Sequence, residues 1–281
     1  MRVLARHRLV LDTTVLKLLV DREAHARLVS GLERPGIESV LVPDFSAVEA
    51  TDGTDGDDRA RALVEFAARS RIPVLLLADL PALLVGERSG HRRLGRPRYA
   101  TVAMPPADHF LDVKERGDVH AWMRTWKDGL AAKIATFREE AKRDFPRRSV
   151  RDLDKMLADD QVRATLLERA SFGMAQIPEG FRERVRERPG RYRVHALWAG
   201  LTQMFGIANG FADRAGPRWG PVLRAPHRND LADIVIAASA GVGTRLVTQD
   251  KGQAARLDFV ADALSLGVRA MSVDEVADGL G

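Results

Sequence analysis

Cysteine is absent from this chain of 281 residues. That removes a disulfide framework, a thiolate zinc site and a cysteine nucleophile in one step. Histidine is present seven times, but with no HExxH or comparable ligand spacing, so a metal site built here has to be made of oxygen donors. No apolar run approaches the ~20 residues needed to span a bilayer. The opening Met1-Arg2-Val3-Leu4-Ala5-Arg6-His7-Arg8 leads directly into an apolar strand pattern and not into a signal-peptide core with a cleavage site. A cytoplasmic protein without membrane contact is the expectation. Internal repeats and low-complexity tracts are also missing.

What is present is a globular composition and an uneven charge. With 45% hydrophobic residues the chain can bury a substantial core as one large domain or two small ones. The formal net charge of +5 conceals a division: residues 83 to 224 carry 28 Lys and Arg against 18 Asp and Glu, whereas the two ends together are net acidic. A polyanion would be drawn to the middle, and the acidic ends would hold it only with cations to neutralise them.

The acids of the two ends fall in four short stretches. They are Leu9-Val10-Leu11-Asp12-Thr13-Thr14, Ser46-Ala47-Val48-Glu49, Asp233-Ile234-Val235-Ile236-Ala237-Ala238-Ser239-Ala240 and Leu246-Val247-Thr248-Gln249-Asp250. The first and last are apolar runs ending in an acid, the pattern of a buried parallel strand whose carboxyl end opens onto a crevice. The other two place an acid on a helix. Four acids converging without basic partners would repel one another and raise their own pKa values, so the set makes best sense around a divalent cation, Mg²⁺ or Mn²⁺.

The surrounding pattern alternates strands and helices, as a parallel α/β sheet requires. Strands are expected at 8–11, 39–42, 72–77, 245–248 and 268–273. Helices are expected at 13–32, from Asp44 as N-cap through Glu49, and at 59–70, 232–240 and 253–266. The middle is different: 118–145 and 150–170 read as long charged helices, with Trp122, Trp126, Leu130, Ile134 and Phe137 forming one apolar stripe, and 191–209 reads as a further apolar helix. The simplest organisation is a discontinuous α/β domain over 1–82 and 225–281, interrupted by a basic, mostly α-helical insertion over 83–224 that is long enough for a core of its own.

The order strand-Asp-Thr-Thr, helix-Glu, helical Asp-x-x-Ile-Ala-Ala-x-Ala, then strand-Leu-Val-Thr-x-Asp resembles the PIN domain, the nuclease fold of many toxin ribonucleases and larger RNA-processing enzymes. The resemblance covers about half the chain, and its two C-terminal motifs with their spacing are the specific part. It implies a PIN-like parallel sheet flanked by helices, with Asp12, Glu49, Asp233 and Asp250 as catalytic metal ligands for Mg²⁺ or Mn²⁺. It further implies hydrolysis of phosphodiesters, with RNA as the substrate, and Thr13 or Thr248 as hydroxyl helpers. Two metals can acidify the attacking water and relieve charge on the leaving oxygen, so no histidine base is needed.

Other residues have two readings. Asp230 lies one helical turn before Asp233 and either caps that helix, which we favour, or joins the ligands. Arg228 and Lys251 flank proposed ligands and are candidate phosphate contacts, as are Arg92, Arg93, Arg96 and Arg98 in the insertion, with Tyr99 or Tyr192 available to stack on a base. The stretch Arg182, Arg184, Arg186, Arg188, Arg191 and Arg193 could also track a phosphate backbone, although Arg alternating with Glu, as in Arg182-Glu183-Arg184, is the usual dress of a solvated helix. The insertion would serve as a substrate clamp, or as a surface for a protein inhibitor or a second copy. A PIN-like binder that no longer cleaves is the alternative. A haloacid-dehalogenase phosphohydrolase resembles Asp-x-Asp-x-Thr at this point, but Thr14 occupies the second Asp position and the general acid would be missing.

Overall fold

The computed structural model describes residues 7–32, 34–89, 101–103, 150–159, 161–168, 178–211, 215–224 and 229–278, with 227 and a few isolated positions between 121 and 129. The Trp122 to Phe137 stripe, Tyr99, Arg92, Arg93, Arg96, Arg98 and Arg228 lie outside the described residues.

Six strands form one sheet: β1 (His7–Leu11), β2 (Ile37–Pro43), β3 (Val74–Leu77), β4 (Thr101–Ala103), β5 (Arg245–Val247) and β6 (Arg269–Met271). Their order is β4-β3-β2-β1-β5-β6, with five strands parallel and β4 antiparallel at one edge. The chain is thus α/β with a parallel sheet flanked by helices. The helices of the N-terminal part are α1 (Thr13–Leu18), α2 (Arg22–Leu32), α3 (Asp44–Ala50), α4 (Gly56–Arg69) and α5 (Leu80–Arg88). Those that follow are α6 (Val150–Met156), α7 (Val162–Glu168), α8 (Glu179–Glu187), α9 (Arg193–Phe211), α10 (Gly216–Trp219), α11 (Asp230–Ser239), α12 (Lys251–Ala263) and α13 (Val273–Asp278). None of the described helices is long and apolar enough to cross a membrane.

Both faces of the sheet are covered, which is why its central strands are continuous apolar runs and not alternating ones. Leu9 and Leu11 of β1 and Val40 and Val42 of β2 pack with α1 to α4 and α13 on one side. Val10 and Leu41, between them in sequence, face the other side and join α5 to α12. The period of two along each strand therefore feeds two separate clusters. Residues 150–223, where described, belong to the second cluster and share it with the sheet: α9 lies against α11 and α12, and fourteen of its nineteen residues are buried.

Several element boundaries differ from the sequence pattern for local reasons. The single helix expected over 13–32 is two helices, because Asp21 Oδ1 accepts the backbone N–H of Glu23 and of Ala24 at 2.9 Å each and so starts a new helix. Asp44 is the first helical residue of α3 and not its N-cap; Pro43 holds that position. The stretch 150–170 contains two short helices, α6 and α7, separated by a turn.

Close approaches of backbone fix how α13 sits on α2. A Cβ added at Gly31 would lie 2.5 Å from the carbonyl oxygen of Val276, whereas one added at Gly206 on the exposed side of α9 would meet nothing within 4 Å. Gly31→Ala is expected to destabilise by about 1–3 kcal/mol through overpacking. Gly206→Ala is expected to stabilise by up to about 1 kcal/mol through helix propensity. Urea midpoints that move the same way for both variants would contradict this account.

Candidate active site

The strand order places a topological switch point between β1 and β5. From β1 the chain proceeds to β2 and β3 on one side, then returns to the other side of β1 as β5 and β6. Crevices at the carboxyl ends of strands at such a point are where open α/β sheets take ligands. Asp12 follows β1 directly, Asp250 follows β5 by three residues, Glu49 sits in the last turn of α3 after β2, and Asp233 is in the first turn of α11. All four line one cleft of about 380 Å³, together with Thr13, Thr14, Lys17, Arg224, His227 and Asn229.

Each acid is held by local structure. Asp12 is buried, at 2% exposure, and is the N-cap of α1. Its Oδ2 accepts from the Thr14 hydroxyl at 2.6 Å and from the Thr14 N–H at 3.4 Å, and lies 2.8 Å from the Thr248 hydroxyl. Asp250 caps α12, its Oδ1 accepting the Gln253 N–H at 2.8 Å. The Thr13 hydroxyl donates to Glu49 Oε2 at 2.8 Å, tying the start of α1 to the end of α3. The capping and site readings of Asp12 and Asp250 thus coexist: one carboxylate both ends a helix and borders the cleft.

Thr248 is the hub of this arrangement. Its hydroxyl, buried, lies 2.8 Å from both Asp12 Oδ2 and Gln253 Oε1 and accepts the Asp250 N–H at 3.0 Å. Gln253 extends the chain of contacts by donating from Nε2 to the Asp233 carbonyl at 3.2 Å. Three of the four acids are therefore registered through one threonine and one glutamine.

The expectation that the acids converge without a basic partner needs correction. The Arg224 guanidinium lies among them: Nη2 is 3.0 Å from Asp230 Oδ1 and 3.3 Å from Asp233 Oδ2, and Nη1 is 3.3 Å from each oxygen of Asp250. Sequence reasoning missed Arg224 because it stands in a turn-rich stretch, 26 positions before Asp250, where no spacing pattern marks it. Asp230 lies behind the cleft wall, fully buried. Its Oδ1 also takes Arg256 Nη2 at 2.7 Å and its Oδ2 the His227 N–H at 2.6 Å. The N-cap of α11 is Asn229. Lys251 is exposed at the start of α12 and is not among the residues lining the cleft.

Burial and the crowding of like charge both act on Asp233. Burial, followed by the charges of Asp12 and Asp250, pushes its pKa up to about 7, with Arg256 only partly offsetting them. Burial also raises Asp12 against the pull of its Thr14 and Thr248 hydrogen bonds. Asp230 moves the other way, since Arg256, the His227 N–H and Arg224 outweigh its desolvation.

The donor chemistry around the cleft, carboxylates with flanking hydroxyls, suits a hard cation such as Mg²⁺ or Mn²⁺. As the side chains stand, no group of three or more Asp, Glu or His among the described residues is arranged to hold a metal ion. The Arg224 guanidinium lies within 3.3 Å of both Asp233 Oδ2 and Asp250 Oδ1. Of the candidate nucleic-acid contacts on and after α8, Arg182 and Arg186 pair with Glu179, Arg184 stacks over Phe181, and Tyr192, just before α9, is buried edge-on to Phe181.

No family model, curated protein or solved structure matches this chain.

Two outcomes are expected from this geometry. In Thr248→Val the removed hydroxyl leaves buried polar partners unpaired, at a cost of about 1–3 kcal/mol in denaturant unfolding; an unchanged midpoint would show the hub to be dispensable. The second concerns pH. The folded protein keeps a proton on Asp233 that the unfolded chain, with the ordinary carboxylate value of 3.8, has already released. The associated stability is complete below about pH 4 and is lost as pH rises through about 7. Measured in EDTA, the melting temperature of the native protein should fall between pH 5 and 8 more steeply than that of Asp233→Asn, which becomes the more stable of the two by on the order of a few kcal/mol at pH 8. Parallel curves would count against the crowding.

Proposed function

We propose that this chain is a metal-dependent, PIN-like nuclease that hydrolyses phosphodiester bonds, with RNA as the substrate class indicated by the sequence resemblance. The observation that carries the reading is the convergence of Asp12, Glu49, Asp233 and Asp250, from four separate stretches of sequence, on one cleft at the switch point of the parallel sheet. Asp12, Asp233 and Asp250, with Glu49 across the cleft, would hold Mg²⁺ or Mn²⁺. When bound, the cation would make a water a better nucleophile and relieve charge on the leaving oxygen.

The chain's own groups prepare the rest. Thr14 and Thr248 orient Asp12 through Oδ2, and Gln253 fixes Asp250 through its N–H. Thr13 holds the Glu49 carboxylate toward α1. Lys17 lines the same cleft and supplies a positive charge to a phosphate entering it.

A second reading has a specific observation in its favour. Arg224 already neutralises two of the four acids, and a site with a fixed internal cation would bind a partner without cleaving it. One experiment separates the two. Structured RNA, single-stranded RNA, single-stranded DNA and duplex DNA are incubated with native protein, Asp12→Asn or Asp233→Asn, in Mn²⁺, Mg²⁺ or EDTA. Cleavage by the native protein alone, and only with metal, is the expected result. Binding without cleavage by all three proteins in every condition would transfer the assignment to the non-catalytic reading.

A further inference from the structure

We propose that Arg224 is a built-in competitor of the divalent cation, seated between Asp233 and Asp250 by a glycine-shaped recess and displaced when the metal enters. The inference rests on the metal-site reading above and specifies how that site is regulated.

The seat has a definite shape. A Cβ added at Gly252, in the first turn of α12, would lie 2.7 Å from Arg224 Nη1, 2.9 Å from Cζ and 3.1 Å from Cδ. The guanidinium therefore occupies the volume that any other residue at 252 would fill. Asp250, two residues earlier, presents both carboxylate oxygens to it at 3.3 Å.

The seat is also loose. Charge-assisted N–H to carboxylate bonds typically measure 2.7–2.9 Å, and Arg256 meets Asp230 at 2.7 Å in a pair that is almost wholly buried. Arg224 reaches Asp233 and Asp250 only at 3.3–3.4 Å, and its shortest contact, 3.0 Å, is to Asp230 behind the cleft wall. Its Nε is buried with no hydrogen-bond acceptor, an uncompensated desolvation that the seated position must bear. Its side chain remains 36% exposed, so a path to solvent is open. Arg256 and the His227 N–H continue to hold Asp230 when Arg224 leaves, so the wall of the cleft does not depend on it.

A cation that competes for the same oxygens lowers the apparent metal affinity by the fraction of molecules in which the seat is vacated. Removing the competitor, or its seat, restores the intrinsic affinity. Gly252→Ala is the more informative change, since one methyl group pushes the guanidinium out while leaving the net charge untouched.

The test is Mn²⁺ binding by isothermal titration calorimetry to the native protein, Arg224→Ala, Gly252→Ala and Asp233→Asn, with circular dichroism melts to establish folding. Both Arg224→Ala and Gly252→Ala are expected to bind Mn²⁺ on the order of tenfold more tightly than the native protein, with Asp233→Asn weaker. Native binding with equal or weaker affinity in Gly252→Ala overturns the inference and leaves the metal-site reading standing, whether or not Arg224→Ala tightens, because tightening in that variant alone reports net charge and not the seat. Absence of Mn²⁺ binding in the native protein and in both folded variants overturns the metal-site reading, and this inference with it. If Arg224→Ala fails to fold, Gly252→Ala decides alone.

Discussion

Like charge gathered at the switch point of a parallel sheet is the constraint to which the rest of this molecule answers. Parallel strands emerge from the same edge, so acids placed after β1 and β5 are neighbours by topology however far apart they stand in sequence. Burial there removes the water that would screen them, and the price is visible in the elevated pKa of Asp233. The neighbouring sequence offsets it. Helix N-termini meet Asp12 and Asp250, threonine hydroxyls meet Asp12 and Glu49, and guanidinium groups meet Asp230, Asp233 and Asp250.

The two arginines near Asp230 do different work, although both pair with the same oxygen. Arg256 is 4% exposed and Asp230 is fully buried, so their bond is a sealed structural bracket whose loss would leave a buried charge unpaired. It ties α12 to the first turn of α11 and keeps those two helices in register where Asp233 and Asp250 project. Arg224 lies on the solvent side of that bracket and touches three carboxylates at longer range. Arg256 thus makes a short, sealed bond of the framework, whereas the contacts of Arg224 are longer, partly exposed and shared among three carboxylates.

The parts of this arrangement legible in the sequence were those encoded locally. An apolar run closed by an acid marks β1 with Asp12 and β5 with Asp250, because burial on both faces of a parallel strand demands the run and the strand's end demands a polar residue. Helix α11 was legible from its small apolar residues, which let it lie against α9. Illegible were features made by distant residues meeting. Arg224 fills a recess defined by Gly252, 28 positions later, and neither residue carries a mark of it alone. The break between α1 and α2 was missed because no proline or glycine between Thr13 and Ser30 marks it, while Asp21 satisfies free N–H groups of the second helix. The apolar helix expected at 191–209 is α9, whose packing against α11 and α12 on one face of the sheet is a contact between distant segments that no local pattern marks.

The same electrostatics sets a condition on whatever occupies the cleft. Asp12, Asp233 and Asp250 present three negative charges when all are ionised, and two positive charges now answer them: the proton favoured on Asp233 and the guanidinium of Arg224. A divalent cation carries that same charge in one small ion, with oxygen ligands drawn much closer than a guanidinium permits. Exchange of one for the other is therefore nearly neutral in charge, and its balance is decided by desolvation and fit. Gly252 improves the fit of the guanidinium by leaving room for it, and the buried Nε without an acceptor worsens it. Were a divalent cation to enter the cleft, these opposing contributions to the fit of Arg224, and not the charge balance, would weigh most in the exchange.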